Sequence, residues 1–246
     1  MTLQKQRVLG VPVDVHDCYG DWLTERLLQG VGTQVVTLNT EMVMQARSNP
    51  DLARVIEAAE LAVPDGAGVV LYLRSLNLAI ERCPGIELAE TLVRAVGIHH
   101  KTLYLIGGAP GILELVVETW QKTMPQFDRS CLVGMHHGYF DALEEAKILQ
   151  SLADQQPHLI LVGLGVPRQE LWIEQHRHLC ANSIWIGVGG SFDVWSGVKQ
   201  RAPKLMQNWN LEWLYRLYLE PWRWRRMLSI PQFAWCALQQ RLGWKG

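Results

Sequence analysis

A carboxylate stands at the end of a short apolar run in Leu61-Ala62-Val63-Pro64-Asp65-Gly66, and an apolar pattern of helical length, Ala67–Arg74, starts directly after it. Run, Pro-Asp-Gly turn and helix onset read as strand, tight turn and helix N-terminus. Asp65 then lies at the carboxyl end of a strand, where open α/β sheets build their sites. A carboxylate there can take the proton of an attacking hydroxyl. An Asp in a turn also serves as turn former or N-cap, so its neighbours must decide its role. Thr37 and Asn39 end another β-branched run, where β-propensity and helix capping are their bland uses. Gly107-Gly108-Ala109-Pro110-Gly111, Gly163-Leu164-Gly165-Val166-Pro167-Arg168-Gln169 and Gly187-Val188-Gly189-Gly190 each close an apolar run. Such turns let backbone N–H groups approach an anion, and the following helix adds its dipole. Three of them point to a phosphate-bearing ligand, most simply a nucleotide. Gln169, taken alone, is as well read as a solvated first-turn residue.

Other chemistries are disfavoured. No turn fits GxGxxG with a ribose-binding acid, and no GxxxxGK[ST] is present. Asp14 and Asp17 are three apart, so the Asp-x-Asp clamp for a metal–diphosphate complex is missing. His136 and His137 are adjacent on an expected strand, which directs them to opposite faces, so no metal site is assigned to them and no cofactor is expected.

The elements that would position these residues alternate. Strands are expected over Val8–Val15, Gln34–Asn39, Leu61–Pro64, Lys101–Ile106, Ser130–Met135, His158–Val162 and Ser183–Val188. Helices are expected over Tyr19–Gln29, Glu41–Ser48, Pro50–Glu60, Ala67–Arg74, Ile86–Val96, Gly111–Lys122, Ala142–Gln155 and Glu170–His178. Strand followed by helix recurs without a hairpin signal, which predicts an α/β fold: a mostly parallel, Rossmann-like sheet with helices on both faces. All strand exits, including His136 to Tyr139, would then face one edge.

The 246 residues, 48% hydrophobic and 19% charged, suit a globular chain. A formal net charge of -1 argues against a nucleic-acid partner. That average hides a split. Residues 1–208 carry 17 Lys+Arg against 22 Asp+Glu, whereas residues 209–246 carry 6 against 2 and hold six of the eleven Trp (209, 213, 222, 224, 235 and 244). The shift predicts an α/β catalytic domain over 1–208 and a helical Trp/Arg-rich appendage over 209–246, with a helix near Leu211–Leu219 that Pro221 ends. Trp beside Arg suits a lipid headgroup boundary. The competing expectation packs these rings on the core or on a sister subunit of a homo-oligomer. Five Cys without a CxxC pair suit a reducing compartment. Neither a signal peptide nor a spanning segment is read, so a cytoplasmic location is expected.

Taken in order, Leu38-Asn39-Thr40, Val63-Pro64-Asp65-Gly66, Gly107-Gly108-Ala109-Pro110-Gly111, Gly138-Tyr139-Phe140, Gly163-Leu164-Gly165-Val166-Pro167-Arg168-Gln169-Glu170 and Gly187-Val188-Gly189-Gly190-Ser191-Phe192-Asp193 resemble the WecG/TagA/CpsF family, glycosyltransferase family 26. Arg201-Ala202-Pro203, Leu211-Glu212-Trp213-Leu214-Tyr215-Arg216-Leu217 and Glu220-Pro221 continue the match over nearly the whole chain. The resemblance implies a metal-independent, inverting transferase, peripheral on the inner face of the cell membrane. It would move N-acetylmannosamine, or a related hexosamine, from a UDP-sugar to a polyprenyl-diphosphate-linked N-acetylglucosamine. It places the base on Asp65, substrate contacts on Thr37, Asn39, Arg82, Gly107, Gly108, Tyr139, Gly163 and Gln169, and acceptor or diphosphate contacts on Arg216, Arg223 and Arg226. Glu87 stands where the family commonly has Asp, and the segment after Pro221 is one residue shorter than usual. The alternatives are a transferase for another UDP-sugar, a nicotinamide-dependent oxidoreductase on a doubly wound fold, and a non-catalytic module that docks on membranes.

Overall fold

The structure, a computed structural model, describes residues 3–209 and 211–242, and the side chains of Asn208, Arg216 and Arg223 lie outside that description. The first two strands, β1 (Gln4–Val8) and β2 (Val11–Val15), form an antiparallel hairpin rather than the single opening strand expected over Val8–Val15. The two-residue loop puts Leu9 at φ 51 and Gly10 at φ 91. That is the left-handed pair a tight hairpin needs, and Leu-Gly is a weak sequence signal for it. After α1 (Tyr19–Gln29) the chain alternates through β3 (Thr33–Leu38), α2 (Thr40–Ser48), α3 (Pro50–Ala58), β4 (Leu61–Pro64), α4 (Ala67–Ser75) and α5 (Gly85–Ile98). It continues with β5 (Leu103–Gly107), α6 (Ile112–Thr123), β6 (Leu132–His136), α7 (Ala142–Gln155), β7 (Leu159–Gly163), α8 (Arg168–His176), β8 (Ile184–Gly187) and α9 (Ser191–Trp195). Helix α10 (Lys204–Asn208) leads to α11 (Glu212–Leu219), α12 (Trp224–Met227) and α13 (Ser229–Arg241). Helix α11 stops ahead of Pro221, as that proline requires.

Six strands form one parallel sheet in the order β4-β3-β8-β7-β5-β6. The apolar runs are continuous because both faces are covered. Val35, Leu61, Val63, Leu105, Leu161 and Ile186 pack with α1, α5 and α6. The alternate residues Val36, Leu38 and Ala62 meet α2, α3 and α4, and Ile106, Ile160, Val162 and Trp185 meet α7 and α8. The hairpin covers the outer edge of β4, where the Asp14 carboxylate accepts the Ala62 N–H at 2.8 Å. Burial raises the Asp14 pKa, and the Ala62 bond works against that rise.

The appendage is pinned to this body by a phenylalanine. Phe233 is 4% exposed within the α2/α4 cluster, edge-on to Tyr72 at 6.1 Å between ring centroids, and the Tyr72 hydroxyl donates to Gln240 at 3.1 Å. Trp209, Trp213, Trp222, Trp224 and Trp235 remain exposed, so the core anchor of this segment is none of them; Trp244 lies outside the described residues. Phe233→Ala should cost about 3 kcal/mol, the scale of an emptied aromatic site, read as a lower urea midpoint with unchanged slope.

Candidate active site

The turn after β4 is locked to the end of β3. The N–H groups of Asp65 and Gly66 both donate to the Leu38 carbonyl, at 3.0 and 3.1 Å. The backbones approach so closely that a Cβ on Gly66 would lie 2.8 Å from the Asn39 Cα, which explains the glycine. Asn39 itself caps α2, its Oδ1 accepting the Met42 N–H at 3.0 Å. Thr37 is 9% exposed and its hydroxyl donates to the Gly187 carbonyl at 3.4 Å, joining the exits of β3 and β8.

A basic residue distant in sequence completes this corner. Arg74 Nε donates to the Ile80 carbonyl at 3.0 Å and the Cys83 N–H to the Pro64 carbonyl at 3.0 Å, which folds the segment 77–84 back along β4. Arg82 is thereby set against Asp65. Its Nε donates to the Asp65 carbonyl at 2.5 Å, and its Nη2 lies 3.4 Å from Asp65 Oδ1. The same Nη2 is 2.5 Å from Glu212 Oε2, and Glu212 Oε1 is 3.4 Å from Arg201 Nε. Arg201 also reaches Glu87 at 2.6 Å. Burial pulls the Arg82 pKa down, yet the charges of Asp65 and Glu212 outweigh it and the net shift is upward. Burial, helped by the Asp65 and Glu87 charges, pushes the Cys83 thiol up to about 12, so this cysteine is no thiolate nucleophile.

The glycine turns gather farther along the same edge. The connection after β5 leads to β6 on one side and that after β7 to β8 on the other, so the chain diverges between β5 and β7. Crevices at such switch points take ligands in open α/β sheets. There Gly107 adopts φ 139, and a Cβ on it would lie 2.5 Å from the Gly163 carbonyl oxygen. Gly138 N–H donates to the Gly108 carbonyl at 2.8 Å, and Tyr139 stands 73% exposed beside it. Gln169 is not a solvated first-turn residue. It is 1% exposed, its Oε1 accepting N–H groups of Gly165 and Gly189 at 3.2 and 3.0 Å, so it clamps the β7 and β8 turns together. Its Nε2 donates to Glu170 Oε1 at 2.7 Å, while Glu170 Oε2 has no hydrogen-bond partner among the described residues.

A further placement differs from expectation. His136 and His137 do not diverge. Lying at and just beyond the end of β6, they stand edge to face at 4.5 Å between ring centroids, and their ligand atoms lie within 4.8 Å of each other and of one from Glu144. The alternation of strand side chains stops where the strand stops. Arg226 pairs with Glu41 in the first turn of α2 at 2.6 Å, and the side chains of Arg216 and Arg223 lie outside the described residues. A cavity of about 410 Å³ beside Glu60 and Arg177 opens at the amino ends of β3 and β8, opposite all these exits.

Known proteins match this chain over most of its length. Residues 6–246 match the glycosyl transferase WecG/TagA/CpsF family. The chain belongs to that family. Two curated relatives are named N-acetylglucosaminyldiphosphoundecaprenol N-acetyl-beta-D-mannosaminyltransferase. One, from Bacillus subtilis (strain 168), is 34% identical over 222 residues, covering 89% of this chain and 85% of the relative. The other, from Staphylococcus aureus (strain NCTC 8325 / PS 47), is 33% identical over 202 residues, covering 82% and 78%. This chain is therefore a glycosyltransferase, and the oxidoreductase and non-catalytic readings fall.

Roles for Glu212, Arg201 and Glu170 were not legible from the residues alone. All three sit inside the quoted motifs, and only Glu212, a charge between Leu211 and Trp213, carries a local signal. Glu170 gives a pH test. Burial pushes its pKa from 4.5 up to about 7 despite the Gln169 bond. The folded protein thus holds a proton that the unfolded chain releases near 4.5, and stability falls as pH rises through that window and levels off above about 7. Glu170→Gln should flatten this slope, with its largest gain in melting temperature at and above pH 7.

Proposed function

We propose that this glycosyltransferase moves N-acetylmannosamine, or a related hexosamine, from a UDP-sugar to a polyprenyl-diphosphate-linked N-acetylglucosamine. The names of its relatives support the transferred sugar and the acceptor class, and the glycine turns support a nucleotide on the donor. The observation that carries the reading is the Asp65–Arg82 pair at the β4 exit, on the same sheet edge as the glycine turns. Four inter-strand spacings of ~4.8 Å separate β4 from β5, so a ligand bridging both ends lies extended across the exits, about 19 Å. The nucleotide belongs at the Gly107, Gly108 and Gly163 turns beside Tyr139, its diphosphate running back along the edge toward Arg82, and the sugar toward Thr37, Asn39 and Asp65. Gln169 acts there by holding the turns.

In the reaction the acceptor hydroxyl attacks the anomeric carbon as Asp65 takes its proton. The bond from that carbon to the UDP oxygen breaks, and one displacement inverts the anomeric centre. Arg82 and the turn N–H groups meet the charge that develops on the diphosphate, and no cation is assigned to that task. Arg216, Arg223 and Arg226 are proposed for the acceptor diphosphate. Residues 1–208 would form the catalytic unit and 209–246 the acceptor- and membrane-binding unit, peripheral on the cytoplasmic leaflet. Exposed Trp222 and Trp224, with the Arg225 guanidinium 5.5 Å from the Trp224 ring centroid, support that docking. Among the described residues no helix is long and apolar enough to cross a membrane.

Product analysis with UDP-N-acetylmannosamine and a short-chain lipid acceptor tests this reading. Asp65→Asn should reduce turnover by on the order of 10² or more with UDP affinity little changed. Near-normal turnover would leave Asp65 a turn former only. Transfer should also persist in excess EDTA. Activity that is lost in EDTA and restored by magnesium or manganese would overturn this account of the leaving group and draw attention to His136, His137 and Glu144.

A further inference from the structure

The residue beside Arg82 that the reaction as written does not use is Glu212. It begins α11, so it comes from the appendage, yet its side chain is buried against the catalytic body, 8% exposed overall. Its two oxygens are divided between two arginines of that body: Oε2 lies 2.5 Å from Arg82 Nη2 and Oε1 3.4 Å from Arg201 Nε. Arg82 Nη2 therefore sits between two carboxylates, closer to Glu212 than to Asp65 Oδ1 at 3.4 Å. An arginine side chain has four rotatable torsions, and a carboxylate on its far side removes most of that freedom. Lys199 makes a second seam of the same kind, bonding Asp193 at 2.7 Å and Glu220 of the appendage at 2.9 Å.

We propose that Glu212 is a positioning residue: docking of α11 delivers its carboxylate to Arg82 and holds that guanidinium where it serves Asp65 and the leaving diphosphate. Seating of the appendage and competence of the catalytic corner are then one event. Glu212 does not touch the reacting atoms and acts through Arg82. Removing its charge leaves Arg82 free to collapse onto Asp65 or to swing out.

This rests on the reading of Asp65 as base, and a double-mutant cycle separates the two. Glu212→Gln, Arg82→Ala and the double variant are compared in the full chain by kcat and donor KM. Glu212→Gln alone should lower kcat by about 10- to 100-fold with donor KM within about threefold. In the Arg82→Ala background the same change should cost less than about twofold more. Glu212→Asp withdraws the charge by about one bond; it should lose kcat partially beside Arg82 and not at all without it, which keeps the test open if Glu212→Gln fails to fold. Equal fold-losses in both backgrounds, or full kcat in Glu212→Gln, would overturn the proposal. Failure of the underlying reading looks different, because Asp65→Asn then keeps its turnover.

Discussion

A parallel sheet whose crossover helices all run back on its faces has one place for its strand ends. Every connection leaves at the carboxyl edge and returns at the amino edge, so six exits scattered over 150 residues of chain meet along one line. The rest of the molecule follows from keeping that sheet buried. Alternate residues of each strand feed separate apolar clusters, one on one face and two on the other, and the short hairpin with Asp14 closes the β4 edge. With the faces taken up by packing, the exits are left for polar chemistry, and the two functions do not compete for the same side chains.

Along that line the division of labour is electrostatic. Toward β5 and β7 the chain offers N–H groups on glycine turns, where Gly107 accepts a backbone conformation and a closeness to Gly163 that a side chain would forbid. Toward β4 it offers alternating full charges: Asp65, Arg82, Glu212, Arg201 and Glu87. Exposed ion pairs such as Arg7–Glu57 contribute little to stability. The half-buried chain is different, since removing one member strands its neighbour's charge in poor contact with water. Its value lies in geometry: it fixes where a guanidinium stands beside a carboxylate.

Much of this is legible in the amino-acid sequence. Apolar runs of five or six residues alternating with longer amphipathic patterns specify a parallel sheet, because each period reports burial of its own element. Asp65, Thr37 and Asn39 could be placed at strand exits for the same reason. The places where that reasoning failed are instructive. Leu9-Gly10 makes a tight turn with Leu9 at a positive φ that its residue type does not announce. His136 and His137 were separated by a rule of strand geometry that ends with the strand. Gln169 taken alone reads equally well as a solvated first-turn residue, because nothing local says that the β7 and β8 turns will close over it.

The sequence by itself determined which elements form, which ends of them carry glycine and acid, and that the last 38 residues differ in character from the rest. Those properties are local: hydrogen-bond periodicity, turn chemistry and composition act over a few residues. The tertiary structure alone decided that Arg82 faces Asp65, that Glu212 reaches across from the appendage, and that Phe233 rather than any described appendage tryptophan enters the core. Each of these joins residues 17 to 161 positions apart or sorts like side chains by what space remains. Charge pairing and packing act on separation in space, and only the folded chain sets that separation.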